Sequence, residues 1–187
     1  MDTQNIRYLN KTRLIKRVKT LNDTYWNATW EGRWKYMWVA INELRVLNPQ
    51  TILELGAYKI NLTDISDNMD LNLKYIDRKN LKNKIYIQDA TSLPWDIEDK
   101  YYDVFIGLQV FEHFKNKKQS EVFNEIMRIS KNAILSFPYK WNTPNNITHH
   151  NIDDEIIRKW TNNIMPVKIK EINAPKHRRR IIYIFKF

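Results

Sequence analysis

A chain of 187 residues, 43% of them hydrophobic, has room for one domain with a buried core and little for a second. It contains no cysteine, which excludes disulfides and thiolate metal sites, and four histidines are too few to argue a metal site. The formal charge of +10 invites a nucleic-acid partner, yet the lysines are scattered rather than gathered on one face, so nucleic acid is the less favoured partner. With no long apolar run and a polar, charged N-terminus, neither a membrane span nor a secretory signal is expected, and the expected location is cytoplasmic.

Residues 4 to 21 set Ile6, Leu9, Ile15, Val18 and Leu21 among Arg7, Lys11, Arg13, Lys16, Arg17 and Lys19, which reads as a basic amphipathic helix. Trp26, Trp30, Trp34 and Trp38 follow, each four apart, and then Ile41, Leu44 and Leu47. That spacing makes one helical face, expected to pack as core, and Pro49 stops the helix. From residue 51 the texture changes to short apolar strands, expected at 51–55, 73–77, 84–89, 102–107 and 132–137. Between the last two, Val122, Phe123, Ile126 and Ile129 recur at helical spacing. A capped helix is expected over 152–160, with Asp153, Asp154 and Glu155 in its first turn. Two β-rich runs, 167–172 and 180–187, close the chain and can pair as neighbours. Strands alternating with helices predict an open α/β sheet with helices on both faces.

In such a sheet, ligands bind at the carboxyl ends of the strands. Glu54-Leu55-Gly56-Ala57 places a glycine directly after the first strand, where backbone can approach a ligand, beside a carboxylate able to orient the turn or accept an amine. Asp77 closes the expected second strand, where a carboxylate accepts from ribose hydroxyls; Asp70 is the alternative if that strand ends earlier. Asp89-Ala90-Thr91 follows the third strand, where a carboxylate accepts from an adenine amine.

With these residues in place, the sequence resembles class I S-adenosylmethionine-dependent methyltransferases. The run from Ile87 to Trp95, followed by Tyr102 to Phe114 with Gln109, Glu112 and His113, is similar to the segment linking the third and fourth strands of that family. Ser136 to Trp141 looks like the fifth strand and its following loop, and Arg180 to Phe187 like the last, antiparallel strand. The resemblance covers roughly residues 30 to 187. It implies a Rossmann-like fold with a mostly parallel sheet of seven strands or slightly fewer. It also implies S-adenosylmethionine as cofactor, with S-adenosylhomocysteine as product. Residues 1–187 would form a single domain, 1–48 a helical lid segment and 51–187 the α/β core. Glu54, Gly56, Ala57, Asp77 or Asp70, Asp89, Ala90, Thr91 and Gln109 would hold the cofactor, with Arg33 of the lid meeting its carboxylate. One departure is plain. The family's first motif carries two or three glycines, and here Tyr58 and Ile60 stand at the later positions.

Glu112, His113 and His150 are the residues expected at the acceptor, since imidazole is suited to take a proton from a hydroxyl near neutral pH. His149 ranks below His150. The expected reaction is O-methylation of a small molecule or a sugar or glycan. The alternatives are an RNA methyltransferase using the basic N-terminal helix and the 176–180 cluster, and a non-catalytic partner protein of the same fold.

Overall fold

The computed structural model describes residues 8–20, 30–57, 60–69, 83–114, 117–145, 147–173 and 179–187. Its centre is a seven-stranded sheet of order β3-β2-β1-β4-β5-β7-β6. The strands are β1 (Ile52–Leu55), β2 (Ser66–Met69), β3 (Ile85–Tyr86), β4 (Val104–Leu108), β5 (Asn132–Pro138), β6 (Lys168–Ile172) and β7 (Arg180–Lys186). β1 to β5 are parallel, whereas β7 runs antiparallel to both β5 and β6. The expected sheet and its antiparallel last strand are therefore observed.

One expectation is corrected. The strand beside β1 is Ser66–Met69, in register Ile52 with Ser66 through Leu55 with Met69, and not 73–77. Its polar side chains make local hydrogen bonds. Thr63 Oγ1 and Ser66 Oγ share a hydrogen bond of 2.7 Å, and Asn68 Nδ2 donates to Ser66 O at 3.0 Å. β2 ends at Met69, so Asp70 follows its carboxyl end in sequence. Asp70 and Asp77 themselves lie outside the described residues.

Alternation in the strands builds two cores. Ile52, Val104, Ile106, Ile134, Ile182 and Ile184 face α1 (Lys11–Thr20) and α2 (Trp30–Leu47), which cover them with Leu14, Val18, Tyr36, Ala40, Ile41 and Leu44. Leu53, Leu55, Phe105, Leu135, Phe137 and Phe185 face α3 (Gln119–Ile129) and α4 (Asp154–Trp160) on the other side, through Val122, Phe123, Ile126 and Ile157. The helix at residues 4–21 begins, among the described residues, at Lys11. Its basic side chains point outward while Leu14 and Val18 are buried.

The tryptophan stripe packs differently from the expectation. Trp34 and Trp38 are only partly buried, capped by Lys11 and Arg45 at 5.3 and 4.9 Å from the ring centroids. The buried face is instead Tyr36, Met37, Ala40, Ile41 and Leu44. A strict spacing of four drifts around a helix of 3.6 residues per turn, so the tryptophans rotate to the edge of the contact. Trp26 and the side chain of Trp30 lie outside the described residues. α2 ends where expected: Asn48 takes φ 46° and donates its N–H to Leu44 O at 2.9 Å, and Pro49 follows. At α4, Asp153 is the cap, accepting from Ile156 N–H at 3.0 Å.

Candidate active site

The β1 turn is built by Gly56 and Glu54. Gly56 has φ +69°, and its N–H donates to Met69 O at 2.9 Å, tying the turn to the end of β2. A Cβ there would stand 2.6 Å from Val110 Cγ1, so the residue must be glycine on two separate grounds. Glu54 points to the α1–α2 side, and its Oε2 accepts the Leu62 N–H at 3.2 Å. Burial raises its pKa to about 8, against the lowering effect of the bonds from Leu62 and Ser66. The carboxyl thus orients the β1–β2 connection rather than reaching into open space. Ile60, at one of the family's later glycine positions, is buried in that core, and its N–H closes a turn on Ala57 O at 3.0 Å. Tyr58 is outside the described residues.

At the end of β3, Asp89 Oδ1 accepts from Thr91 N–H at 2.7 Å and from Thr91 Oγ1 at 2.6 Å. Among the described residues nothing donates to Oδ2, which leaves one oxygen of a pre-oriented carboxylate for a ligand amine. Ala90 is fully buried, with its carbonyl accepting Trp95 Nε1–H at 3.1 Å, so its side chain belongs to the core.

The ends of β4 and β5 carry the most unusual chemistry. Gln109 takes φ 59°. Its amide donates to Ser136 Oγ at 3.1 Å and accepts from Arg180 Nε at 3.2 Å, locking β4 to β5 and β7. The guanidinium of Arg180 lies between the rings of Tyr36 and Trp141, 5.0 Å from each centroid. A 3-10 turn at Phe111–His113 follows β4, and a second at Ile147–His149 follows β5. Together they bring Glu112, His113 and His149 into one cluster, their ligand-type atoms all within 4.8 Å of one another. The Glu112 side chain is 0% exposed, and His149 Nε2 lies 3.7 Å from its Oε1. Neither carboxylate oxygen accepts a hydrogen bond from another residue among those described. Burial pushes the Glu112 carboxyl up to about 8, although the Arg180 and Arg33 charges pull it down. His113 is held below the usual imidazole value, first by loss of water around the ring and then by the Arg33 charge. Arg33 is buried on α2, and its charge acts on both Glu112 and His113.

His150 is arranged differently from the expectation. Its Nδ1 accepts the Thr143 N–H at 3.1 Å, and its Nε2 meets the Asn151 side-chain amide at 2.9 Å. A backbone N–H can only donate, so Nδ1 is an acceptor already engaged by Thr143, and Asn151 occupies the other nitrogen. No free basic nitrogen remains for an acceptor. His149, ranked below it from sequence, is the imidazole that joins Glu112 and His113. Its only signal was the doubled Thr148-His149-His150 after the fifth strand, in which spacing alone does not say which ring turns inward.

The opposite, amino-terminal edge of the sheet holds an open polar cleft lined by residues including Thr51, Asp67, Lys84 and Tyr102. Its groups satisfy one another, with Tyr102 O–H and Lys84 N–H both donating to Asp67 at 2.7 and 3.1 Å. The convergent, unsatisfied groups are all at the carboxyl edge.

Residues 45–134 match the family model described as a methyltransferase domain. No curated protein matches. Among solved structures, the chain is similar to the N-methyltransferase NodS from Bradyrhizobium japonicum WM9 in complex with S-adenosyl-L-homocysteine. The TM-score is 0.66 at 10% identity, covering 95% of this chain and 98% of that one. It is also similar to an S-adenosylmethionine-dependent methyltransferase from Clostridium acetobutylicum ATCC 824, with a TM-score of 0.59 at 12% identity over 82% of this chain and 91% of that one. The residues present fit such a cofactor, since the glycine turn after β1 and the half-engaged Asp89 stand at the strand ends where a nucleoside binds. Residues 45–134 thus carry a methyltransferase-domain match, and the sheet has the Rossmann-like fold of the S-adenosylmethionine-dependent methyltransferases that the chain is similar to.

Proposed function

We propose that this chain methylates a hydroxyl oxygen of a small-molecule or sugar acceptor. The observation that carries the reading is the cluster of Glu112, His113 and His149 at the carboxyl ends of β4 and β5. It stands beside the Gly56 turn through the Val110 contact. Bound S-adenosylmethionine supplies an electrophilic methyl on a positively charged sulfur.

The tasks left to the protein are holding the cofactor, aligning the acceptor and receiving its proton. On this reading Gly56 and Ala57 offer backbone after β1, Asp89 offers Oδ2 to the adenine amine, and Arg33 provides positive charge for a carboxylate. Gln109 acts through position, holding the β4 end to Ser136 and Arg180. His113, exposed and kept neutral by its surroundings, takes the acceptor proton as the C–O bond forms and the methyl–sulfur bond breaks, its electron pair staying on sulfur. Trp141, stacked on His149 at 5.5 Å between centroids and covered by Arg180 at 5.0 Å, forms a fixed wall of the same space. The test is transfer of a labelled methyl group to a panel of hydroxyl and amine acceptors. Product that carries the label on oxygen supports the reading, and label only on nitrogen overturns it.

A second reading, RNA as acceptor, draws on one feature. α1 turns Lys11, Arg13, Lys16, Arg17 and Lys19 outward with no acidic residue in its sequence. RNA binding that falls steeply with salt would favour it, and no affinity at moderate salt would remove it.

A further inference from the structure

We infer that Glu112, His113 and His149 form a binding site for one divalent first-row transition-metal ion, held by two imidazole nitrogens and one carboxylate. A carboxylate fully removed from solvent, with neither oxygen accepting a hydrogen bond from another described residue, is costly unless something positive meets it. Arg33 and Arg180 act on it through space without donating to it. The groups that do face it at short range are imidazoles, which are metal ligands as well as bases.

The geometry is close to what an ion needs. Metal–ligand bonds of about 2.1 Å set neighbouring donor atoms about 3–3.5 Å apart. Glu112 Oε1 and His149 Nε2 are already 3.7 Å apart, and the full set lies within 4.8 Å. A closure of about 1 Å completes the site, and His113, which is exposed, has room to make it. The His149 ring is held in place by the Trp141 ring parallel to it and by His113 edge-on at 5.0 Å, so its direction is set before any ion arrives. Two imidazoles with one carboxylate suit Mn, Fe, Co, Ni or Zn better than Mg or Ca, whose preference is for oxygen throughout. Three protein ligands leave positions open for water or for an acceptor oxygen, whose hydroxyl proton an ion makes easier to lose to solvent; with the ion bound, His113 serves as ligand and solvent replaces it as the proton's destination. That use of the ion rests on the proposed methyl transfer; binding of the ion does not.

The experiment is calorimetry on metal-stripped full-length protein titrated with Zn²⁺, Mn²⁺ and Mg²⁺, with the visible spectrum of added Co²⁺ as a ligand-sensitive signal. One equivalent of Zn²⁺ or Mn²⁺ should bind, Mg²⁺ more weakly. His113→Ala and His149→Gln should each lower the affinity by more than about tenfold. His113→Ala alters an exposed ring, so its far-UV spectrum should match the parent and keep the comparison valid. Absence of a saturable single site in the folded parent, or unchanged affinity in both variants, overturns the inference. A parallel titration with S-adenosylhomocysteine separates the two readings. Cofactor binding without metal binding removes the metal site and leaves methyl transfer standing, whereas metal binding without cofactor binding does the reverse.

Discussion

Gly56 and Val110 are packed so closely that the first has no room for a side chain: a Cβ would lie 2.6 Å from Val110 Cγ1. The contact joins the turn after β1 to the segment that carries Glu112 and His113, so the two are one packed unit. Gly56→Ala should cost about 1–2 kcal/mol for left-handed backbone and about 1–3 kcal/mol for the overlap. A total of about 3 kcal/mol lowers the melting temperature by roughly 6–12 °C in a domain of this size. Adding Val110→Ala relieves the overlap, so the two losses should fall short of additive in a double-mutant cycle. Strict additivity would show that the contact is not shared.

Glu54 sets a pH dependence of stability. Its folded pKa, about 8, is above the ordinary 4.5, so the native state favours the protonated form. Its contribution is therefore fully present below pH 4.5 and is lost as pH rises toward 8, by up to roughly 4 kcal/mol. Glu54→Gln keeps an acceptor for Leu62 N–H without the charge. Thermal melts should show the variant gaining on the parent steadily between pH 5 and 8. A difference flat with pH would mean that Glu54 is ionised in the fold at little cost.

Arg128 pins the loop before β4. It donates to Glu125, Asp99 and the carbonyls of Trp95 and Ile97 over 2.6–3.1 Å, while Glu125 Oε1 also accepts the Trp95 N–H at 2.7 Å. Arg128→Ala leaves the 9%-exposed Glu125 carboxylate without its cation and should cost about 2–3 kcal/mol, discounted for the 30% exposure of the arginine. Glu125→Gln on that background should recover part of the loss in urea unfolding. A cost below about 0.5 kcal/mol would place the pair among ordinary surface ion pairs.

Asp89→Ala removes the carboxylate aimed past Thr91. Loss of a charge-assisted hydrogen bond to the adenine amine should weaken S-adenosylhomocysteine binding by about tenfold or more in calorimetry. Thr91→Val tests the other half, because it frees Asp89 Oδ1 from the hydroxyl and should weaken binding less. Unchanged affinity in Asp89→Ala would move the adenine site elsewhere.

β4, β5 and β7 were legible because strands buried on both faces are written as continuous Ile, Leu, Val and Phe runs. β2 was not. Ser66-Asp67-Asn68-Met69 is largely buried, yet its side chains are polar and bond locally through Thr63 and the Ser66 carbonyl, so no hydropathy pattern announces it. The apolar 73–77 run drew the expected second strand away from Ser66–Met69. Similarly, the doubled histidine after β5 carried the right residue types, but the choice of His149 over His150 depends on Trp141, which stacks on one ring, and on Thr143, whose N–H takes the other.

By itself the sequence determined the class of sheet, its strand-end glycine and the chemistry available after β3, β4 and β5, because these depend on local periodicity and on residue type. Only the tertiary structure decided which groups meet. Glu112, His113 and His149 lie on two turns 35 or more residues apart, and their juxtaposition follows from β4 and β5 being hydrogen-bonded neighbours. The burial of the Glu112 carboxylate, with neither oxygen accepting a hydrogen bond from another described residue, is likewise a property of what packs around it, which no spacing in the chain encodes.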